Sequence, residues 1–229
     1  MIRLAVFASG SGTTLQAILD AFCAPASGAP AEAAGVALVV SNNPDAYALE
    51  RARLAGVPAE VVTHRGRSRE AFEADLAALV EAHGIELICL AGFMRILTPA
   101  FVGRFRGRIL NTHPALLPAF GGKGMYGEHV HRAVLAAGVA ISGCTIHIVD
   151  DVPDGGPIVA QASVPVLEGD TPETLAARVQ RAERLLYPAA IRWWAAGRVE
   201  VAGRGVIVHP PGRTLAAGAP ARSPETVHT

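Results

Sequence analysis

The sequence predicts an α/β fold: an open, mostly parallel twisted sheet with helices on both faces, whose later strands are partly antiparallel. Two observations carry that expectation. Short apolar runs alternate with helix-length amphipathic stretches, the pattern of successive βαβ units. Several of those runs end in glycines, amides or an imidazole, and open α/β sheets hold their ligands at strand ends.

In chain order, IRLAVFA (2–8) is a buried strand, and TLQAILDAF (14–22) repeats its apolar residues at helical spacing. GVALVVSN (35–42) is the second strand. The helix AYALERARLAG (46–56) stops at Gly56, a residue suited to a left-handed cap. VPAEVVTH (57–64) is a third strand, and the next helix runs from Arg69 to His83 and closes at Gly84. ELICLAG (86–92) is a very apolar fourth strand leading into a loop around Phe93, Met94 and Arg95; GRILNTH (107–113) is the fifth. Glycines crowd GGKGMYGEH (121–129), a flap expected to be mobile until something binds it. HVHRAVLAAG (129–138) is a helix, and SGCTIHIVD (142–150) and PIVAQASVPV (157–166) are a pair of strands. Residues 171–197 form one long helix or two joined at Pro188, with Asp170, Thr171 and Glu173 as the start signal. Residues 1–205 are read as one domain and 206–229 as a C-terminal tail, largely unpacked for want of bulk and periodicity.

Composition narrows the function. Twenty acidic residues balance twenty basic ones, and no basic run offers a track for phosphodiesters, so small molecules rather than nucleic acid are the expected partners. No apolar segment approaches the roughly 20 residues that cross a bilayer. The first apolar run is also too brief for a signal peptide, so a cytoplasmic location without membrane attachment is expected. Cys23, Cys89 and Cys144 are far apart and odd in number, which suits reduced thiols better than a disulfide framework.

Three loops carry chemistry. ASGSGTTLQ (8–16) joins glycines, which let a ligand approach the backbone, to hydroxyls at a helix start: a phosphate site by geometry, or a plain turn capped by Thr13. No lysine follows it, and Leu15 stands where a dinucleotide fingerprint has its third glycine, so a phosphate monoester is favoured. In NTHPALLP (111–118), Asn111 and His113 leave one strand end, where an amide and an imidazole can hold a developing oxyanion. Pro114 and Pro118 stiffen the loop. HIVDDVPDGGPIV (147–159) turns sharply at its glycines, and Asp154 beside them is a better partner for His113 than Asp150 or Asp151. If the loops meet, that carboxylate should raise the imidazole pKa. His147, alternating with Thr145 and Val149, reads as a packed histidine bordering the site. His113, His129 and His131 lack a supporting Cys or carboxylate, so no metal is expected. Without a G-x-S-x-G elbow, and with Cys89 and Cys144 inside apolar strands, covalent catalysis is not expected either.

SGSGTTLQ, LAGFMRILTP, ILNTHPALLP, GCTIHIVD with PDGGPI, and ARVQRAE followed by Tyr187-Pro188 together resemble the folate-dependent formyltransferases. Within them the likeness is to the phosphoribosylglycinamide formyltransferases, or glycinamide ribonucleotide transformylases, over about residues 1–205. The resemblance implies a Rossmann-like formyltransferase fold, is compatible with a homodimer, and places the activity in purine biosynthesis. It implies transfer of the formyl group of 10-formyltetrahydrofolate, the co-substrate, to the amine of glycinamide ribonucleotide by direct attack, with no metal. Asn111, His113 and Asp154 would be catalytic; Gly12, Thr13 and Thr14 would hold the 5′-phosphate, and Gln180 and Glu183 the ribose. Met94, Arg95, Ile96 and Leu97 would cradle the pterin, with Arg69 near the folate or the phosphate. Two departures stand out. Thr13-Thr14 replaces the family's frequent Ser-Asn. Gly121-Gly122 follows Phe120 where Pro-Gly is usual, in a longer form of the flap.

Three other readings compete. A formyltetrahydrofolate hydrolase would use similar loops, but its family usually carries an N-terminal regulatory domain, and here the first strand begins at residue 2. A non-formyl Rossmann-type nucleotide-binding enzyme would need the missing glycine, and an acid where Asn42 and Asn43 stand. A non-catalytic module that kept the fold would bind ligand without turnover.

Overall fold

The structure is a computed structural model that describes residues 1–23 and 33–212. Its first half runs β1 (Ile2–Phe7), α1 (Thr13–Phe22), β2 (Ala34–Ser41), α2 (Tyr47–Leu54), β3 (Ala59–Val61), α3 (Arg69–Ala82), β4 (Leu87–Leu90), α4 (Pro99–Arg104) and β5 (Ile109–His113). The second half adds α5 (Glu128–Ala136), β6 (Ile141–Ile148), β7 (Ile158–Pro165), α6 (Pro172–Ala195), β8 (Val199–Ala202) and β9 (Gly205–Val208). Seven strands form one sheet in the order β3-β2-β1-β4-β5-β6-β7. The first five are parallel, whereas β6 runs antiparallel to both β5 and β7.

Alternation along β1 shows why these runs must be sheet. Leu4 and Val6 enter a cluster with Leu15 and Ile18 of α1 and Tyr187 and Ile191 of α6. Ala5 and Phe7 enter the opposite cluster with Phe72 and Leu76 of α3 and Phe101 of α4. A strand buried on both faces has no polar side to show, hence its unbroken apolar reading. The chain runs outward from β1 to β3 and returns on the other side as β4, so a crevice opens beyond the carboxyl ends of β1 and β4.

The long C-terminal helix is single: α6 runs 24 residues with Pro188 inside it. Its start is a capping box between Thr171 and Thr174, so Thr174 rather than Glu173 completes the signal. Leu175, Val179, Glu183, Tyr187 and Ile191 recur every four residues as its buried stripe, which Ala190 flanks, with Glu183 as the one carboxylate among them.

Three differences from expectation have physical causes. Helix α4 was not expected, although Thr98 accepts the Phe101 N–H and Pro99 fills the first turn, a local start signal on a short segment. Strand β3 spans three exposed residues instead of eight, because it is the sheet edge and has a partner on one side. The expected boundary between residues 205 and 206 falls inside the β8–β9 hairpin. Val201 and Val206 pack on the core, and buried His209 bonds Glu200 through Nε2 and Oε2 at 2.7 Å. The packed chain therefore reaches His209; residues 213–229 of the expected tail lie outside the described residues.

Candidate active site

Strand pairing brings the two polar loops together. Asn111 stands opposite His147 and His113 opposite Thr145 in the antiparallel β5–β6 ladder; the loop leaving β6 therefore starts beside Ile109 and turns back along β5 to bring Asp154 to His113. Asp154 lies in that loop in the left-handed region, at φ 56°, a conformation that Asp adopts more readily than most residues. The two glycines after it answer to space: a Cβ on Gly156 would stand 1.9 Å from the Ile148 carbonyl oxygen, and one on Gly155 2.8 Å from Val152. Asp154 thereby reaches His113 Nδ1 with Oδ2 at 3.5 Å and His147 Nε2 with Oδ1 at 3.6 Å, and Oδ2 accepts the Gly122 N–H at 2.9 Å. Gly121-Gly122 is thus part of the clamp on Asp154, which gives the departure from Pro-Gly a structural setting. His113 Nε2 faces the Phe120 carbonyl at 2.8 Å, and Asn111 Nδ2 lies 3.0 Å from His147 Nε2.

Burial decides the electrostatics. His113 is 3% exposed, and desolvation pushes its imidazole below the ordinary histidine value; the Asp154 carboxylate and Phe120 carbonyl pull upward without reversing it. The carboxylate therefore acts in the expected sense, raising the imidazole, but burial outweighs it. Burial alone would raise Asp154, but the His147 hydrogen bond, the His113 charge and the Gly122 amide together hold its carboxyl below the usual range. His147 is a direct partner of both Asn111 and Asp154, a closer role than its alternation with Thr145 suggested.

The phosphate-type turn sits beside this cluster. Gly12 precedes α1 at φ 70° and supplies no side-chain cap, so the helix's first N–H groups are left for a ligand. A Cβ at Gly12 would meet Ala48 Cα and Cβ at 3.0 Å, so glycine is required by α2 packing as well. Arg51, which carries no mark in the sequence, donates to the Ser11 carbonyl at 2.8 Å and to Gln16 Oε1 at 2.8 Å. Behind the turn, buried Glu183 accepts from Thr112 Oγ1 at 2.7 Å and from Thr14 Oγ1 at 3.4 Å, joining α1 to the strand that carries Asn111 and His113. Burial pushes the Glu183 carboxyl up against the opposing pull of those hydroxyls. Thr13 is half-buried, and Gln180, on the same helix as Glu183, is exposed.

Across the crevice lies the 93–98 loop. Met94 and Ile96 are exposed, as a ligand-facing segment needs, and Arg69 donates to the Ile96 carbonyl at 2.5 Å. Arg69 and Arg95 line one cleft with His64, which puts Arg69 on this side of the site. Leu97 differs: it is 8% exposed and packs in the core with Phe101, so it supports the loop from beneath. Buried Glu73 accepts from both the N–H and the hydroxyl of Thr98 and fixes the loop's far end.

Among the described residues, no three His, Cys, Asp or Glu side chains converge as a metal-binding group. His131 is buried and His129 exposed, so the H-x-H pair faces two ways. Cys89 and Cys144 are buried, with thiols pushed up to about 12, which leaves them protonated and poor nucleophiles. No described helix is long and apolar enough to cross a membrane.

Comparison with known proteins places this arrangement. The profile of the formyl transferase family matches residues 2–191. The phosphoribosylglycinamide formyltransferase of Escherichia coli K12 is 41% identical over 201 residues, covering 87% of this chain and 90% of that protein. The trifunctional purine biosynthetic protein adenosine-3 of Gallus gallus is 43% identical over 207 residues, 90% of this chain, yet the chain spans only 20% of that longer protein. Among solved structures, glycinamide ribonucleotide transformylase 1 from Symbiobacterium toebii superposes with a TM-score of 0.83 at 47% identity, covering 92% of this chain and 95% of that one.

Proposed function

The chain belongs to the formyl transferase family, and from that premise we propose that it transfers the formyl group of 10-formyltetrahydrofolate to the amine of glycinamide ribonucleotide, in the cytoplasm. The observation that carries the reading is the meeting of Asp154 with His113 on the strand end that holds Asn111. The uncapped start of α1 lies on the sheet face that α1 covers, and the loop that exposes Met94 and Ile96 leads to α4 on the opposite face.

In this reading the amine nitrogen attacks the formyl carbon and the carbonyl π electrons move to oxygen. The Asn111 amide is directed to that oxygen, and the charge of protonated His113, whose Nε2 faces the Phe120 carbonyl and whose Nδ1 faces Asp154, stabilises it from beside. His113 takes its proton from solvent before the attack and keeps it through the transfer, so that its charge rather than its proton meets the oxygen; burial opposes that charge and the Asp154 carboxylate supports it. The proton leaving the ammonium centre passes through water held by Asp154, whose side chain is 16% exposed, and reaches N10 as the C–N10 bond breaks. Gly12, Thr13 and Thr14 hold the 5′-phosphate and Glu183 the ribose hydroxyls; exposed Gln180 closes on the ribose from the rim. Met94, Arg95 and Ile96 face the pterin, Leu97 supports them, and Arg69 serves the folate.

Gly12→Val should weaken binding of the ribonucleotide by about tenfold or more and that of tetrahydrofolate by less than about twofold. Calorimetric titration of each ligand measures this; equal losses would assign Gly12 to α2 packing alone. Glu183→Ala should cost about 1.5 to 3 kcal/mol of ribonucleotide binding, the loss of a charge-assisted hydrogen bond. The deoxyribo analogue is the control, and a variant that still discriminates against it as the parent does would remove Glu183 from the ribose. The overall reading is tested by following 10-formyltetrahydrofolate with and without glycinamide ribonucleotide. Formyl loss that depends on the ribonucleotide supports it; equal loss without it makes the protein a hydrolase.

A further inference from the structure

We infer that Ser9 is a positioning residue that couples the two substrate subsites, its hydroxyl tying the 93–98 loop to the turn that opens α1 so that filling either subsite tightens the other. The inference rests on the formyl-transfer reading, which places the ribonucleotide phosphate on that turn and the folate on that loop. Ser9 lies at the end of β1, on the floor of the crevice, and its hydrogen-bonding groups are engaged in three directions. Its N–H donates to the Gly92 carbonyl at 3.1 Å, its Oγ accepts the Met94 N–H at 2.7 Å, and its hydroxyl donates to Asn42 Oδ1 at 2.5 Å. Asn42 is 7% exposed and is held in turn by His64, with Nδ2 3.3 Å from Nδ1, so the serine hydroxyl has a fixed acceptor. One hydroxyl therefore cross-links the ends of β1, β2 and β4.

The other restraints on the two segments point away from each other. The Gly10 and Ser11 carbonyls accept from the Ala48 N–H and from Arg51, both on α2. The Ile96 carbonyl and Thr98 are held by Arg69 and Glu73, both on α3. Each segment is thus anchored to its own helix, and Ser9 joins the two anchored pieces. Because Met94 is the first exposed residue expected to face folate, ordering it through its own N–H also orders Ser9, and with it the two-residue span to Gly12. Thermodynamic linkage then requires the effect to be equal in both directions.

The test is calorimetric titration with glycinamide ribonucleotide, alone and with saturating tetrahydrofolate, and the reverse titration; the pair cannot react because no formyl group is present. In the parent protein each Kd should fall by about fivefold when the other ligand is bound, within the usual range for coupled sites. Ser9→Ala should bring that factor close to one in both directions while the Kd for ribonucleotide alone changes by less than about twofold. Ser9→Thr, which keeps the hydroxyl, should restore the coupling. If Ser9→Ala fails to fold, Asn42→Ala removes the fixed acceptor and should give the same loss. A parent factor of one, or a folded variant that keeps the parent's factor, overturns the coupling while leaving formyl transfer intact. Absence of binding by both ligands to the parent overturns the formyl-transfer reading and the coupling with it.

Discussion

Asn111→Ala and His113→Ala are each expected to lower kcat by about 10²-fold or more, with ribonucleotide binding changed by less than about twofold. The expectation rests on where charge develops. In the proposed reading both side chains, at the end of β5, meet the formyl oxygen while Gly12, Thr13, Thr14 and Glu183 hold the phosphate and ribose, so the interactions they lose belong to the transition state and not to the bound substrate. Asn111 also bonds His147, which in turn faces Asp154. Its removal therefore frees a buried imidazole, and a thermal melt on each variant separates that structural cost from the catalytic one. Single-turnover rates with both substrates saturating are the measurement. Near-normal turnover in both variants would take them out of the reaction.

Asp154→Asn should produce a fall of about 10² to 10⁴-fold in turnover with little loss of stability, because asparagine keeps an oxygen for the Gly122 N–H and nearly the same shape. Its sign on pH follows from the opposing influences on His113. Burial already holds that imidazole below its ordinary value and the Asp154 charge pulls it upward, so neutralising the charge must lower it further. At a given pH less imidazolium can form, and the histidine limb of the kcat profile moves toward acid. NMR titration of His113 in both proteins, read beside the rate profiles, is the check. An unmoved His113 pKa would confine Asp154 to shaping the Gly155-Gly156 turn and its clamp on Gly122.

Legibility in the sequence followed the range of the interaction. The sheet and most helices were readable because each run carries its own periodicity: β1 alternates between two cores, and the stripe on α6 recurs every four residues. Asn111 and His113 stand out as candidates in the sequence because an apolar strand that ends in an amide and an imidazole is unusual within a few residues. Asp154 was singled out from its neighbours by the glycines beside it, and the reason is the Ile148 carbonyl that a Cβ would strike. The short helix α4 and the β8–β9 hairpin show no periodicity in the sequence, the first because it has six residues and the second because its strands have four each.

Arg51, Ser9 and Asn42 carry no local mark at all. An arginine on a helix, a serine in a glycine turn and an asparagine after a strand are ordinary residues, and only the approach of α2, β2 and β4 to the end of β1 gives them partners. The same holds for Leu97, whose neighbours face outward while it turns into the core.

Sequence by itself determined the order and type of the main elements, the glycine turn, the polar strand end and the acidic loop, since these depend on periodicity and chemistry over a few adjacent residues. Tertiary structure alone decided that the Asp154 loop reaches His113, that His147 sits between Asn111 and Asp154, and that Ser9 joins two loops. It also decided the direction of the His113 pKa, because burial and the placing of a distant charge arise only when separate segments pack around one imidazole.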